Sequence, residues 1–396
     1  GATTSKLWNL PYVLTLFEIC VVSLTMTFFM PLLPIYITMI GGNISLAGLV
    51  VSIYTFVALI SRPFFAILID RYGRKPILLI GLALILVGCF SYSLATLIGV
   101  LLVIRVVHGM GYSASTNATG TIAADVIPPE QRGQGFGYYG FVMTASLALG
   151  PAAALMIMRN SDVKTAFAVA TVIAALGLAA SFFVRYESNP GLQPMDPSQA
   201  TRGKMNLGFG YEKAALPASL VMLFVAFAYS GIVTFLPSYA GTLGIENISL
   251  YFIVYAVVLL ITRLIVDWIT KARDISVVLL PGILLMGVAF ALLGFGKTLP
   301  LFLAAAVFYG IGYGSVQPTL NAMVISACAP SKRSAANSTF FSSLDLGIGL
   351  GAMAWGVVSQ ALGFPAIFIG CIVIMFFAAI AFLAILNKER GSSQAG

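Results

Sequence analysis

The chain has 396 residues, 60% of them hydrophobic and only 9% charged, with a mean hydropathy of +1.01 and a formal net charge of +8. Soluble domains are nearer half apolar and a quarter charged, so this composition excludes a string of soluble domains and points to a chain embedded in a membrane. Cys20, Cys89, Cys328 and Cys371 all sit in apolar runs without metal-ligand spacing. They read as small buried hydrophobes, and neither a metal nor a cofactor is expected.

A helix crosses a bilayer with about 20 apolar residues. Twelve such runs follow one another, at 11–35, 44–69, 76–96, 98–124, 134–158, 163–184, 216–239, 248–270, 276–296, 299–326, 334–360 and 363–386. They are numbered here as spans 1 to 12. Span 1 is too long, and too much like the others, to read as a cleaved leader. The expected fold is an all-α membrane protein of twelve transmembrane helices. Between spans 6 and 7 lies RYESNPGLQPMDPSQATRGKMNLGFGYEKAA, rich in Pro, Gly and Ser. It reads as a flexible linker and divides the chain into 1–185, a linker at 186–215, and 216–396.

The positive charge sets an orientation. With both ends in the cytoplasm, 15 of the 21 Lys and Arg fall on the cytoplasmic side and only Arg159, Lys164 and Lys297 outside. That matches the positive-inside bias, so the basic balance is an anchor and not a nucleic-acid surface. The expected setting is the plasma membrane, with both termini cytoplasmic.

The two halves align with each other. YTFVALISR (54–62) lies over YAVVLLITR (255–263) at an offset of 201, and the same offset puts HGMGY (108–112) on YGIGY (309–313), Arg132 on Arg333 and Gly150 on Gly351. Near spans 1 and 7 the offset becomes 203, with LPIY (33–36) on LPSY (236–239). The chain is a duplicated six-helix unit, an arrangement that places substrate near mid-membrane at the repeat interface.

Charges at membrane depth are few, and such groups are costly and usually functional. Glu18 lies in TLFEICVVSL of span 1. Arg105 and His108 lie one turn apart on span 4. Arg263 and Asp267 lie four apart on span 8, where they can pair. Arg62 is on span 2, and Asp345 lies in FFSSLDLGIG of span 11. One histidine, no metal cluster and no Ser-His-Asp set argue against a membrane-embedded enzyme.

Three stretches carry a family resemblance: AILIDRYGRK (66–75), RVVHGMGYS (105–113) and DVIPPEQRGQGFG (125–137). Through them the chain resembles the major facilitator superfamily over its whole length, and within it the twelve-helix drug:proton antiporter branch. Ala66 stands where the first signature usually has Gly. The resemblance implies two pseudo-symmetric six-helix bundles. It makes the loop between spans 2 and 3 a cytoplasmic gate, with Asp70 approaching the start of span 11 near residues 334–336. Arg71, Arg74 and Lys75, flanking Gly73, would pair with Asp125 and Glu130, joined by Arg132; Arg263 and Asp267 would close the same side. Spans 1, 4, 7 and 10 would line the cavity. Glu18, Arg105, His108 and Asp345 are then the candidates for proton coupling, although Asp345 could instead bridge to Arg62. Glu18, Tyr112, Asn117, Tyr229, Tyr309, Tyr313 and Gln317 are the candidates for substrate contact. Gly150-Pro151 resembles the core of the family's antiporter motif, with Ala154 and Leu155 where a Gly pair would follow.

The expected function is proton-coupled export of drug-like or amphipathic cations by alternating access. Export of one metabolite, such as a metallophore or a sugar, is the alternative, and proton symport for uptake the third. The partners expected are a small-molecule substrate, protons and lipid, with the chain a monomer.

Overall fold

A computed structural model describes residues 7–184, 212–272, 275–328 and 333–394. Most of the expected linker at 186–215 lies outside them. So do some side chains within described helices, among them those of Arg132, Asp267, Ser334 and Ala335. Twelve helices long and apolar enough to cross a membrane follow in order. They are α1 (Leu10–Met39), α2 (Ile44–Tyr72), α3 (Arg74–Tyr92), α4 (Ile98–Val126), α5 (Arg132–Asn160), α6 (Val163–Ser181), α7 (Leu216–Thr242), α8 (Ser249–Ala272), α9 (Ser276–Phe295), α10 (Leu299–Ser326), α11 (Arg333–Leu362) and α12 (Phe364–Gln394). No strand occurs among the described residues. The reason is elementary: hydrocarbon offers no water to backbone N–H and C=O groups, so each segment satisfies its own within a helix. Large apolar side chains such as Ile60, Phe64, Val103, Leu264 and Phe376 stay exposed on the protein, where lipid would meet them.

The chain forms two compact units, one drawing on Gly1–Phe29 and Phe56–Phe209, the other on Met30–Thr55 and Gly210–Gly396. The six-and-six division follows the sequence repeat, and the packing units differ from it in residues 30–55. Within the second unit the first half of α2 therefore packs on α11. Ser52 Oγ donates to Gly349 O at 2.7 Å, Ser45 Oγ to Gly356 O at 3.3 Å, and Ser45 N to Gln360 Oε1 at 3.2 Å. A Cβ at Gly48 would strike the Ala352 carbonyl.

The repeat is visible in the packing. In α5, a Cβ at Gly150 would meet Thr27 Oγ1 and Leu24 O of α1; in α11, one at Gly351 would meet Ser230 Oγ and Phe227 O of α7. Leu24 and Phe227, like Thr27 and Ser230, stand 203 apart, and the two glycines 201 apart. Gly111 meets Gly81 O across α3 and α4, and Gly312 meets Gly282 O across α9 and α10. The helix ends repeat too. Gly41 (φ 88°) and Gly244 (φ 70°) end α1 and α7. Gly42 N donates to Ile37 O at 2.8 Å and Ile245 N to Ala240 O at 2.9 Å, the hydrogen bond of a Schellman ending. Between α5 and α6, Asp162 caps α6 by accepting from Thr165 N at 2.6 Å, which holds its carboxyl below the usual range.

Gly150→Val and Gly351→Val should each force apart the helix pair they join and lower the thermal unfolding midpoint in detergent by several degrees, since overpacking costs about 1–3 kcal/mol. Gly287→Ala, at a site with nothing within 4 Å, should leave it unchanged or slightly higher. Equal melting of all three variants would show that the close approaches carry no stability.

Candidate functional site

Glu18 lies near the start of α1 and is fully buried, and neither carboxylate oxygen has a hydrogen-bond partner. One turn further on, Val21 packs against Gly177 of α6. The equivalent residue of the second repeat, at the offset of 203, is Val221 of α7, equally buried. The repeat's packing thus accepts a plain valine where α1 carries a carboxyl.

Arg105 and His108 meet a residue that spacing did not single out. Arg105 Nη1 donates to Tyr92 Oη at 3.4 Å, and Tyr92 Oη lies 3.2 Å from His108 Nδ1. The arrangement that uses both contacts has Arg105 donating to Tyr92 and Tyr92 donating to His108. Phe29 of α1 stacks edge-on against His108 at 5.6 Å, and Phe167 of α6 closes on Tyr92 at 6.0 Å. All of these side chains are buried. The cluster lies at the level of Phe29, which is eleven residues beyond Glu18 on α1, or about 16 Å along the axis. The structure therefore does not bring Glu18 together with Arg105 and His108.

The second unit gathers tyrosines from three helices. Tyr229 of α7 lies 5.3 Å from Tyr313 and 6.3 Å from Tyr309 of α10. Tyr309 and Tyr313 stack at 5.8 Å, and Tyr255 of α8 lies 5.6 Å from Tyr309. Gln317 follows Tyr313 by one turn of α10, buried, its Oε1 without a hydrogen-bond partner. Asp345 is buried in α11. In the first unit Tyr112 is buried, and the Asn117 amide is engaged, donating to Arg62 O at 2.9 Å. Asn117 therefore braces α4 against α2.

At the loop between α2 and α3, Arg74 Nε pairs with Asp125 Oδ2 at 3.1 Å, with both side chains partly exposed. Lys75 Nζ donates to Phe182 O at the end of α6, 3.0 Å away, a favourable place for a cation beside the last carbonyls of a helix. Arg71 lies over the Tyr72 ring at 5.3 Å, while Asp70 and Glu130 are exposed. Gly73 sits at φ 89° and ψ 168°, a region that essentially only glycine occupies. The signature's glycine is thus a backbone requirement: it turns the chain directly from α2 into α3. The expected pairing of Arg263 with Asp267, the part of Arg132 and, apart from the buried Ala336, the approach of Asp70 to residues 334–336 involve side chains outside the described residues.

A family pattern described as Major Facilitator Superfamily matches residues 15–324 and, a second time, 249–395. The chain belongs to this superfamily. Similar proteins include the staphylopine export protein of Staphylococcus aureus (strain Mu50 / ATCC 700699), 23% identical over 345 residues, covering 84% of this chain and 85% of that protein. The quinolone resistance protein NorA of Staphylococcus aureus (strain MRSA252) is 27% identical over 238 residues, covering 59% of this chain and 60% of NorA. Among solved structures, a bacterial homologue of the human lysosomal transporter Spinster superposes with a TM-score of 0.77 at 16% identity, covering 96% of this chain and 97% of that one. The nucleoside transporter NupG gives a TM-score of 0.69 at 13% identity, covering 95% and 98%. At such identities the shared property is the fold. Membership makes this a multi-pass membrane transporter and not an enzyme.

Within a superfamily transporter, sequence reasoning missed two residues that complete the clusters. Tyr92 joins Arg105 to His108, but it comes from another helix, and no spacing on α4 could point to it. Tyr255 was visible only as the repeat partner of Tyr54. For the loop, Gly73→Ala should cost about 1–3 kcal/mol of stability. A double-mutant cycle on Arg74 and Asp125 should return a coupling of about 0.2–1 kcal/mol, the usual range for an exposed pair. Thermal unfolding of the purified variants measures both, and a coupling of zero would reduce the pair to a surface contact.

Proposed function

We propose that this transporter exports amphipathic, cation-bearing small molecules in exchange for protons by alternating access, and that Glu18 is the exchange site. One observation carries this reading: a buried carboxyl without a hydrogen bond in a slot that the second repeat fills with Val221. An ionised carboxyl in such surroundings costs several kcal/mol. A proton removes the cost, and so does a substrate cation; the group cannot hold both, which is the elementary requirement of exchange. The quinolone resistance protein and the staphylopine export protein among its relatives support the outward direction. The distribution of Lys and Arg supports a plasma-membrane setting with cytoplasmic termini. One chain carries both repeats, which supports a monomer. Arg105 and His108 of α4, packed at the level of Phe29, which lies about 16 Å along α1 from Glu18, would hold the interior of the first unit with Tyr92 and not pass the proton directly.

A second reading is export of one zwitterionic metabolite. It is supported by the relative that spans 84% of the chain, an export protein named for a single compound, and by the presence of a buried cation and a buried acid in the same unit.

Reconstituted in liposomes under a pH gradient, the wild type should drive movement of a fluorescent lipophilic cation, and Glu18→Gln should abolish it while retaining the wild-type melting curve. Undiminished movement in the variant would remove Glu18 from the mechanism. A neutral substrate, if one is found, should be spared by the same substitution.

A further inference from the structure

The geometry points to a contact subsite in the second unit, formed by Tyr229, Tyr313 and Gln317, that takes a planar aromatic group bearing an N–H donor, such as an aryl amine. The inference rests on the transport reading above and adds the chemical class that this part of the protein selects.

The subsite has a rigid back and an open edge. Tyr309 and Tyr255 form the back, fully or almost fully buried, at 0% and 3% exposure. The Tyr229 ring packs against this back, 6.4 Å from Tyr255 and 6.3 Å from Tyr309 by centroid. Tyr313 is held by its stack on Tyr309, the rings 21° apart. Residual exposure is greatest at the edge, with Tyr229 at 5%, Tyr313 at 7% and Gln317 at 6%. The Tyr229 and Tyr313 rings lie 5.3 Å apart by centroid and tilted by 31°; a planar ring would pack against their less buried edges in an edge-to-face or offset arrangement, and phenol rings also attract cations.

Gln317 supplies the direction. It lies four residues after Tyr313 on the same helix, hence on the same face. Its Oε1 is buried and has no hydrogen-bond partner. An unmet acceptor is costly where water is scarce, and packing does not demand it. The equivalent residue of the first repeat is Thr116, whose Oγ1 donates to its own helix at Tyr112 O, 2.8 Å away. The second repeat thus replaces a self-satisfied hydroxyl with a longer side chain whose acceptor is left open at the end of an aromatic wall. A guest that packs against the wall and donates an N–H to Gln317 Oε1 answers both features at once.

Two planar or aryl cations separate the elements of this proposal: ethidium, which carries aryl amines, and tetraphenylphosphonium, which has no N–H. Equilibrium binding to the purified full chain in detergent needs no proton gradient and so stands apart from coupling. Gln317→Leu should weaken ethidium about tenfold, the value of one hydrogen bond to a charged ligand, and leave tetraphenylphosphonium unchanged. Gln317→Glu, which keeps the acceptors, should bind ethidium at least as well as the wild type. Equal weakening of both probes, or no change in either, would make Gln317 a packing residue and overturn the subsite while leaving Glu18 and export untouched. Failure of the wild type to bind either probe would overturn the subsite together with the export of aromatic cations.

Discussion

Helix α1 lies against α5 where Gly150 leaves room for the Leu24 carbonyl and the Thr27 hydroxyl, and α7 lies against α11 at Gly351 in the same way. Much else hangs on these close approaches. Lipid is as apolar as leucine, so helices in a bilayer are not driven together by water; they associate where small residues let backbones meet. Fixing α1 at Gly150 fixes the depth and facing of everything on α1, including Glu18 less than two turns before Leu24. Gly150 belongs to a stretch that resembles an antiporter motif, yet its counterpart in α11 is followed by Ala352 and makes the same contact. The glycine therefore serves helix packing in both halves, and whatever is particular to exchange must come from other side chains.

Those side chains are where the two halves cease to match. The frame is duplicated down to its helix-ending hydrogen bonds, while the polar contents are not. Glu18 corresponds to Val221, Arg105 to Ala306 and His108 to Tyr309. In the first unit Arg105 and His108 gather with Tyr92, apart from Glu18; the second unit carries a cluster of phenols followed by the Gln317 amide, and a buried Asp345 on α11. In the first unit Tyr92 is shared between Arg105 and His108, with Phe29 and Phe167 packed around them.

At the loop between α2 and α3 the physics is different, because the groups are partly wet. The Arg74–Asp125 pair is partly exposed, so its contribution is modest and salt-sensitive. What holds the turn is the backbone at Gly73, which no other residue adopts without strain. A signature dense in charge thus depends structurally on its one uncharged, side-chain-free position.

The sequence by itself determined the twelve helices, with starts within two residues and ends within four except for α12, which runs eight residues further, because bilayer thickness and backbone hydrogen bonding leave an apolar run of that length no other structure. It also determined the duplication, since a single offset survives through several helices, and it marked Glu18, Arg105 and His108, because charge in an apolar run stands out. Only the tertiary structure decided which of these meet. Contacts between helices depend on rotation and depth, to which spacing along one helix is blind. Hence Tyr92 went unseen beside Arg105, Asn117 proved to donate to the Arg62 carbonyl, and Lys75 reached the end of α6. The same blindness applied to residues 30–55, which belong by sequence to the first repeat and by packing to the second unit. Small residues at Gly48 and Gly356 admit that contact, and its partners lie some 300 residues away in a helix that no local pattern could name.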